Sequence, residues 1–366
     1  MSGIQISQTG GPEVLHWKTD LPVPELKEGE VLVRNDFAGV NFIDVYFRTG
    51  LYPSPLPLIP GKEGAGTIVT AHPSVTSTTH PDLQPGRTRV AYLGDASYAS
   101  YTAVPAASVV PIPDGLSTEI AAASLLQGLT ALTFVREAAG FSSSFPNQDE
   151  APWVLVHAAA GGTGSMLVQI LSRVVGAKVI GTAGGPEKGE IARWNGAKWV
   201  VDSQREDVVR RVMEITGGYG VDVIFDGVGK ATFDGDLQMV ARKGTVVVFG
   251  NAVSDILLFL NRRALTAVAV ILSSLPDADA GMQSGPVPPV DLLALGAKNV
   301  KLMRPRLYGY LATPEENARY TKELFDMLAT GKVTISMHDT YPLQDAGRAH
   351  SDLEGRKTTG KLLLKI

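Results

Sequence analysis

Residues 158–164 read Ala-Ala-Ala-Gly-Gly-Thr-Gly and stand between an apolar strand and an apolar helix. The strand is predicted over 153–157. The helix is predicted over 163–175, with Leu167, Ile170, Leu171, Val174 and Val175 at helical spacing. Read as A-x-G-x-x-G, the run is a dinucleotide fingerprint with Ala159 in the first glycine place. Gly161 lets the backbone approach a pyrophosphate, and Gly164 lets the helix pack closely on the strand. Ala160, Gly162 and Thr163 complete the turn. Phosphates placed there meet the N–H groups and positive dipole end of the helix. A tight βα turn without ligand uses the same residues; the strand–turn–helix context favours the ligand.

The turn opens a series. Strands at 153–157, 178–181, 199–202, 221–226 and 244–250 alternate with helices at 163–175, 188–195, 206–216 and 232–240. Alternation with nearly all-apolar strands predicts a parallel sheet covered on both faces. Residues 127–312 are read as a doubly wound, Rossmann-type domain. NAD-binding chains carry Asp or Glu about 20 residues after the fingerprint, for the ribose 2′-hydroxyl. Here Thr182, Ala183, Gly184 and Gly185 fill that place and Lys188 follows. With no carboxylate to repel a 2′-phosphate, NADPH is the expected cofactor, although a solvated lysine at a helix start is also ordinary. Asp226-Gly227-Val228-Gly229 and Phe249-Gly250-Asn251 close two further strands, where either ligands or plain turn chemistry belong.

The rest of the 366 residues is of another texture, as two domains at roughly 100–200 residues each would require. Short strand-like runs at 31–34, 66–69 and 89–92 are separated by Pro and Gly clusters, which reads as an irregular β domain. Polar loops are expected over 72–82 and 142–150. A helix over 120–139 starts at Ser117-Thr118-Glu119, a capping sequence. The tail offers a helix over 314–330, a run at 332–336, a short helix near 343–353 and a last strand over 361–366. It is expected to return to the first domain, giving 1–126 with 313–366 as one domain and 127–312 as the other.

Composition narrows the classes. With 33 Lys+Arg against 37 Asp+Glu the net charge is -4, and no basic stripe with interleaved aromatics is present. That argues against an RNA-binding footprint. There is no Cys, so disulfides, thiolate nucleophiles and sulfur-ligated zinc are excluded. His16, His72, His80, His157, His338 and His350 show no i, i+3 or i+4 pairing, which argues against a His-based metal site. Residues 1–11 lack a signal-peptide pattern, and the apolar run at 256–275 is interrupted by Arg262 and Arg263. A cytoplasmic protein without a membrane span is expected.

Residues 41–53, Asn-Phe-Ile-Asp-Val-Tyr-Phe-Arg-Thr-Gly-Leu-Tyr-Pro, resemble the hallmark segment of NADPH quinone oxidoreductases. These form a zinc-free branch of the medium-chain dehydrogenase/reductase superfamily that includes the zeta-crystallins. Further matches lie at 10–15, 127–131, 158–164, 249–251 and 304–305. The resemblance implies a GroES-like β domain plus a Rossmann domain, an active site in the cleft between them, and a homodimer formed through Rossmann edge strands near 300–303. It implies that Asn41, Asp44, Tyr46 and Tyr52 line the nicotinamide and substrate site, and that Thr130 helps hold the nicotinamide. It also implies that Lys188 and Arg356 bind the 2′-phosphate. Lys62 precedes Glu63 where zinc-dependent relatives often place His. One departure bears on NADPH. The family often has a Tyr beside the phosphate in a Val/Ile-Asn-Tyr run, and this chain has Val201-Asp202-Ser203. Ser203 can hydrogen-bond, but Asp202 adds negative charge.

The implied activity is reduction of quinones, by hydride or by one-electron steps. Hydride transfer asks the protein mainly for placement, water exclusion and a proton or hydrogen-bond donor. Tyr52 and Tyr46 are candidate donors, and packing as cleft walls is their other reading. Reduction of the C=C bond of an enone, alkenal or enoyl thioester would use the same cofactor. A structural or RNA-binding role, known among zeta-crystallin-like relatives, is the minor alternative.

Residues 253–283 fit neither texture. Related chains run from a Phe-Gly-Asn-Ala turn directly into Ser-Gly-Pro-Val-Pro-Pro, and here Ala252 and Ser284 would be adjacent without the segment. It begins Val-Ser and ends Gln, which GTGAGT and CAG encode, as at intron ends. Residues 264–266 can be encoded with GCTGAC, which resembles a branch site. A retained intron translated in frame and a true insertion are the two readings. Under the first, sequencing the mature transcript yields mainly the form lacking the segment; a transcript dominated by the longer form defeats it. Its β-prone, uncharged runs, 256–260 and 268–272, are an aggregation hazard under both.

Overall fold

A computed structural model describes residues 1–76, 80–249, 289–355 and 358–366. The 253–283 segment, the apolar run at 256–275, Gly250, Asn251 and Arg356 lie outside the described residues. The chain divides into two compact units, Met1–Thr133 with Leu307–Ile366, and Phe134–Arg306. These borders stand seven residues after 126/127 and six before 312/313. Helix Thr118–Thr133 is continuous through residue 126, so no change of unit falls there.

The first unit contains β1 (Gly3–Gln5), β2 (His16–Lys18), β3 (Glu30–Val40), β4 (Glu63–Ala71), β5 (Arg89–Leu93), β6 (Tyr101–Pro105) and β7 (Val109–Pro111). β3 is its axis, pairing antiparallel with β4 and with β6. One stretch of β3 packs Val31 and Val33 on Ile68, Val90, Tyr92 and Val104. The other packs Ala38 and Val40 on Ile4, Tyr98, Leu362 and Leu364. Helix α1 (Phe42–Thr49) follows β3 at once; the punctuation-based reading of this region as purely β did not contain it. The Asp44 carboxylate accepts the Asn41 N–H at 2.9 Å, satisfying an orphan helix-start donor, and Gly50 ends the helix at φ 82°. Helix α2 (Thr118–Thr133) runs on as a π-helical turn, Phe134–Ala138. The stretch Thr118–Ala138 is long and apolar enough to cross a membrane, but 72% of its most apolar window is buried in the protein, as for a core helix.

The second unit holds β8 (Trp153–Val156), β9 (Lys178–Ala183), β10 (Trp199–Asp202), β11 (Val221–Asp226), β12 (Val240–Val248) and β13 (Lys301–Met303). All pairings are parallel, in the order β10-β9-β8-β11-β12-β13. Numbered within the unit this is 3-2-1-4-5-6, the doubly wound order whose reversal between the first and fourth strands makes a crevice at their carboxyl ends. Helices α3 (Gly162–Gln169), α4 (Pro186–Asn195), α5 (Val208–Ile215) and α6 (Phe233–Met239) are the crossovers. α3 continues as a π-helical segment, Ile170–Val175, stopped by Gly176 at φ 79°. Leu155, Ile180, Val201, Ile224 and Val246 form one fully buried layer of the sheet.

In the tail, helix Pro314–Ala329 starts with a Thr313/Glu316 capping box. The run at 332–336 is not a strand. β14 is Met337–Pro342, which lies parallel to β15 (Lys361–Lys365), and β15 pairs with β3. Helix Ala346–Glu354 packs beside them.

Candidate functional site

Two groups of residues carry chemistry, one in each unit. In the second unit the chain leaves β8 at His157 and turns at Ala158, whose φ of 50° is left-handed, a conformation costly for a residue with a Cβ. Gly161 is the N-cap of α3, with no side chain capping that end. The first-turn amides are therefore the orphan donors that an anion satisfies. A Cβ at Gly164 would overlap the Ala158 carbonyl oxygen and lie 3.0 Å from the Ala159 Cα, whereas at Gly161 it would meet only that oxygen, at 3.2 Å. Gly164 is buried and sets the approach of helix to strand; Gly161 and Gly162 are exposed. An uncapped glycine N-terminus at the switch point of the sheet has the free amides and bare backbone that a dinucleotide pyrophosphate needs, so the residues fit that group.

Ala160 and Thr163 are part of this turn, and Thr182 lies against it. The Thr182 carbonyl accepts the Ala159 N–H at 2.9 Å. Its hydroxyl lies 3.1 Å from His157 Nδ1 and accepts the Ala158 N–H at 3.3 Å. His157 Nε2 meets Asp236 at 2.8 Å. Burial alone would lower the His157 pKa, but the Asp236 carboxylate raises it. The Thr182 hydroxyl is thus engaged in a buried network beneath the turn. Gly184 stands beside the Gln204 side chain. Lys188 is half-buried on α4, and Ser203 is exposed just past β10. Asp202 accepts the N–H groups of Gly185 and Gln204, both at 3.0 Å, and these bonds hold its carboxyl below the usual range. Its negative charge is therefore a standing feature of the place expected for a 2′-phosphate. Arg205, 3.8 Å from that carboxylate, is a cation the sequence reading did not single out.

Phe249 is half-buried against Phe134, ring centroids 5.5 Å apart. Asp226 is consumed by its own turn. It accepts from the Val228 and Gly229 amides at 2.7 and 3.0 Å and from the Thr232 hydroxyl at 2.9 Å, so of its two readings the turn is the one observed.

In the first unit, α1 brings Asn41, Asp44, Tyr46 and Tyr52 into one neighbourhood. Tyr46 and Tyr52 meet edge-to-face at 5.3 Å, and Phe47 meets Tyr52 at 5.6 Å. Thr130 lies on α2, its hydroxyl donating to the Leu126 carbonyl at 2.6 Å. Beneath Asn41 lies a buried group that the sequence reading did not assemble. The Lys361 ammonium pairs with Glu63 and donates to Asn41 Oδ1 at 2.7 Å and to Gln127 Oε1 at 3.0 Å. Asn41 Nδ2 donates to Glu63 at 2.8 Å, and the Leu126 N–H to the same carboxylate at 2.7 Å. The Asn41 side chain is thus clamped from two sides.

A cavity of about 270 Å³ lies next to α1, with Asp44, Phe47, Ser54, Ile59, Lys62 and Asp95 in its wall. Lys62 pairs with Asp95, and its ammonium stands 3.9 Å from the Phe47 ring centroid. Among the described residues no three His, Cys, Asp or Glu side chains group as a metal site.

A GroES-like β unit joined to a 3-2-1-4-5-6 nucleotide-binding unit defines a medium-chain dehydrogenase/reductase. The alcohol dehydrogenase GroES-like domain family matches residues 27–114, and the zinc-binding dehydrogenase family matches 162–279. The quinone oxidoreductase of Pseudomonas aeruginosa is 36% identical over 99% of this chain and 98% of its own. The Escherichia coli quinone oxidoreductase complexed with NADPH superposes with a TM-score of 0.84 at 35% identity, covering both chains completely. A 2-haloacrylate reductase of a Burkholderia species is 30% identical over 98% of this chain and 97% of its own. This chain belongs to the quinone oxidoreductase family.

Proposed function

We propose that the protein is an NADPH-dependent quinone reductase that works without zinc. The observation that carries this is the end-to-end likeness to quinone oxidoreductases, one of them an NADPH complex, in a chain whose uncapped glycine turn fits a pyrophosphate. Gly161, Gly162, Thr163 and Gly164 would hold the pyrophosphate. Lys188, with Ser203, would hold the 2′-phosphate against the charge of Asp202. Thr182, Gly184 and Phe249 would line the crevice, and Thr130 and Asn41 would hold the nicotinamide. When bound, the nicotinamide supplies a hydride. The chain's own part is placement: Tyr46 and Tyr52 wall the acceptor, and clamped Asn41 presents a fixed amide.

The first test is loss of NADPH absorbance with an ortho-quinone and, in parallel, an enone. Faster quinone turnover is expected. Enone turnover with little quinone activity would move the assignment to double-bond reduction, the reading that the haloacrylate reductase relative supports. Lys188→Ala is expected to raise the KM for NADPH about tenfold or more while leaving that for NADH unchanged, because a charge-assisted bond worth about 1.5–3 kcal/mol is lost only from the phosphorylated form. Equal changes for both cofactors would remove Lys188 from the 2′-phosphate site.

The reading extends to a cytoplasmic homodimer. β13 is an edge strand of the six-stranded sheet, and Leu292 and Leu293 are 75% and 86% exposed shortly before it. An edge unpaired among the described residues, beside exposed leucines, suits a second copy. Light scattering after gel filtration should return twice 38.8 kDa. The net charge of -4 speaks against RNA as a partner.

A further inference from the structure

We propose that Asp44 is a proton-donating catalytic residue of this site, and that Tyr98 and His350 are positioning residues that keep its proton on Oδ1. The inference deepens the quinone reductase reading and rests on it.

Asp44 is 1% exposed and contributes to the cavity wall. Its two oxygens are used differently. Oδ2 accepts the Asn41 N–H at 2.9 Å and the Tyr98 hydroxyl at 3.2 Å. Oδ1 is buried and has no hydrogen-bond partner among the described residues. Capping α1 needs only Oδ2, so a purely structural Asp44 leaves Oδ1 unexplained.

The partners of Oδ2 are themselves directed. Arg48, 1% exposed, is held by a bidentate pair with Glu354 at 2.9 and 2.8 Å. Its Nη1 lies 3.2 Å from His350 Nδ1. A guanidinium only donates, so Nδ1 must accept and His350 must carry its hydrogen on Nε2. Nε2 lies 3.2 Å from the Tyr98 oxygen, which then accepts from it and donates to Asp44. Every hydrogen in the line Arg48–His350–Tyr98 points toward Oδ2. A proton carried by Asp44 therefore sits on Oδ1.

The local charges agree. Burial pushes the Asp44 carboxyl up to about 7, against the lowering effects of the Asn41 amide and of Lys361, with Glu63 adding to the rise. Burial, with Arg48 beside it, pushes His350 down to about 3, so the ring is neutral. The other groups facing Asp44 are Tyr98 and Tyr308, both raised by burial, with Lys62 and Asp95 across the cavity.

The step balances. A quinone that accepts a hydride from reduced nicotinamide becomes a hydroquinone monoanion. The Oδ1–H bond of Asp44 then breaks, its electron pair stays on the carboxylate, and its proton forms the new O–H bond. Solvent protons restore the acid.

Asp44→Asn keeps an acceptor for the helix cap and removes the acid. Its kcat with an ortho-quinone should fall about 10²-fold or more, the scale of general acid catalysis. The wild-type decline of kcat above about pH 7 should vanish with it. Tyr98→Phe removes a donor to the charged form, so the decline should move to higher pH while the acid-side plateau holds. An Asp44→Asn enzyme with wild-type kcat and an unchanged alkaline decline overturns the proposal.

Two readouts need no turnover. Asp44 favours the fold below about pH 4 and loses that contribution as pH rises toward 7; His350 favours it above about pH 6.5 and loses that contribution as pH falls toward 3. In the wild type the two slopes oppose each other. In Asp44→Asn, urea stability should rise with pH across this window more steeply than in the wild type, and in His350→Phe it should fall. The carboxylic acid infrared band should titrate near pH 7 in the wild type and be missing in Asp44→Asn. Wild-type protein with no quinone turnover would defeat the functional reading instead. The two cases are told apart because the band is read without substrate, and its absence overturns the buried acid.

Discussion

Lys361→Met is expected to cost about 3–5 kcal/mol of folding stability, the scale seen when one partner of a buried ion pair is removed. The side chains of Lys361 and Glu63 are 4% and 0% exposed, so water cannot replace the lost ammonium. Glu63 would keep bonds from Asn41 and the Leu126 N–H but lose its counter-charge. The carbonyl oxygens of Asn41 and Gln127 would lose their shared donor as well. Because β15 is held against β3 beside this group, the loss should register as a lower urea midpoint of the whole first unit. The double variant Lys361→Met/Glu63→Gln should recover much of it, since a neutral amide needs no counter-charge and still accepts from Leu126. A single-variant loss below about 1 kcal/mol, typical of a surface pair, would mean that the charges are not desolvated.

The contrast between this group and the glycine turn shows what could be read beforehand. The turn is local. Seven consecutive residues, an apolar strand before and an apolar helix after determine both its shape and its ligand, and strands Trp199–Asp202 and Val221–Asp226 fall where periodicity put them. Most strand and helix ends of the second unit lie within about two residues of their expected places, apart from the earlier start of β12. The first unit is built from contacts far apart in sequence. Lys361, Glu63, Asn41 and Gln127 come from the last strand, an early strand, a helix start and a mid-chain helix. Each alone looks like a solvated polar residue, and nothing in the spacing announces that they meet. The faint signal was Lys361 opening an apolar strand, Leu362–Leu364 being fully buried. His350 and Tyr98 were equally silent, being neighbours across 252 positions. Helix α1 was hidden by the Pro and Gly clusters around it, although Asn41 and Asp44 carry the spacing of a capping pair.

Gly164→Ala is expected to raise the Kd for NADPH at least about tenfold, the scale of losing one hydrogen bond to a charged group, about 1.5–3 kcal/mol, as the helix amides are displaced. The added methyl would overlap the Ala158 carbonyl oxygen and stand 3.0 Å from the Ala158 carbonyl carbon and the Ala159 Cα. All of these are backbone atoms, so no rotamer change relieves the contact. Helix α3 must back away from β8, carrying its uncapped N-terminus with it. Overpacking of this kind also costs about 1–3 kcal/mol of stability. Gly161→Ala separates the two consequences. Its methyl meets only the Ala158 oxygen, at 3.2 Å, and projects from an exposed position. Stability should stay within about 0.5 kcal/mol of wild type, as for surface changes generally. NADPH binding should still weaken, because the methyl stands where a pyrophosphate must come against bare backbone. Calorimetric titration of both variants, with their melting in the absence of ligand, reads the two effects independently. Wild-type affinity in Gly161→Ala would show that the phosphates do not lie on this turn, and would remove the turn from the functional argument while leaving the fold intact.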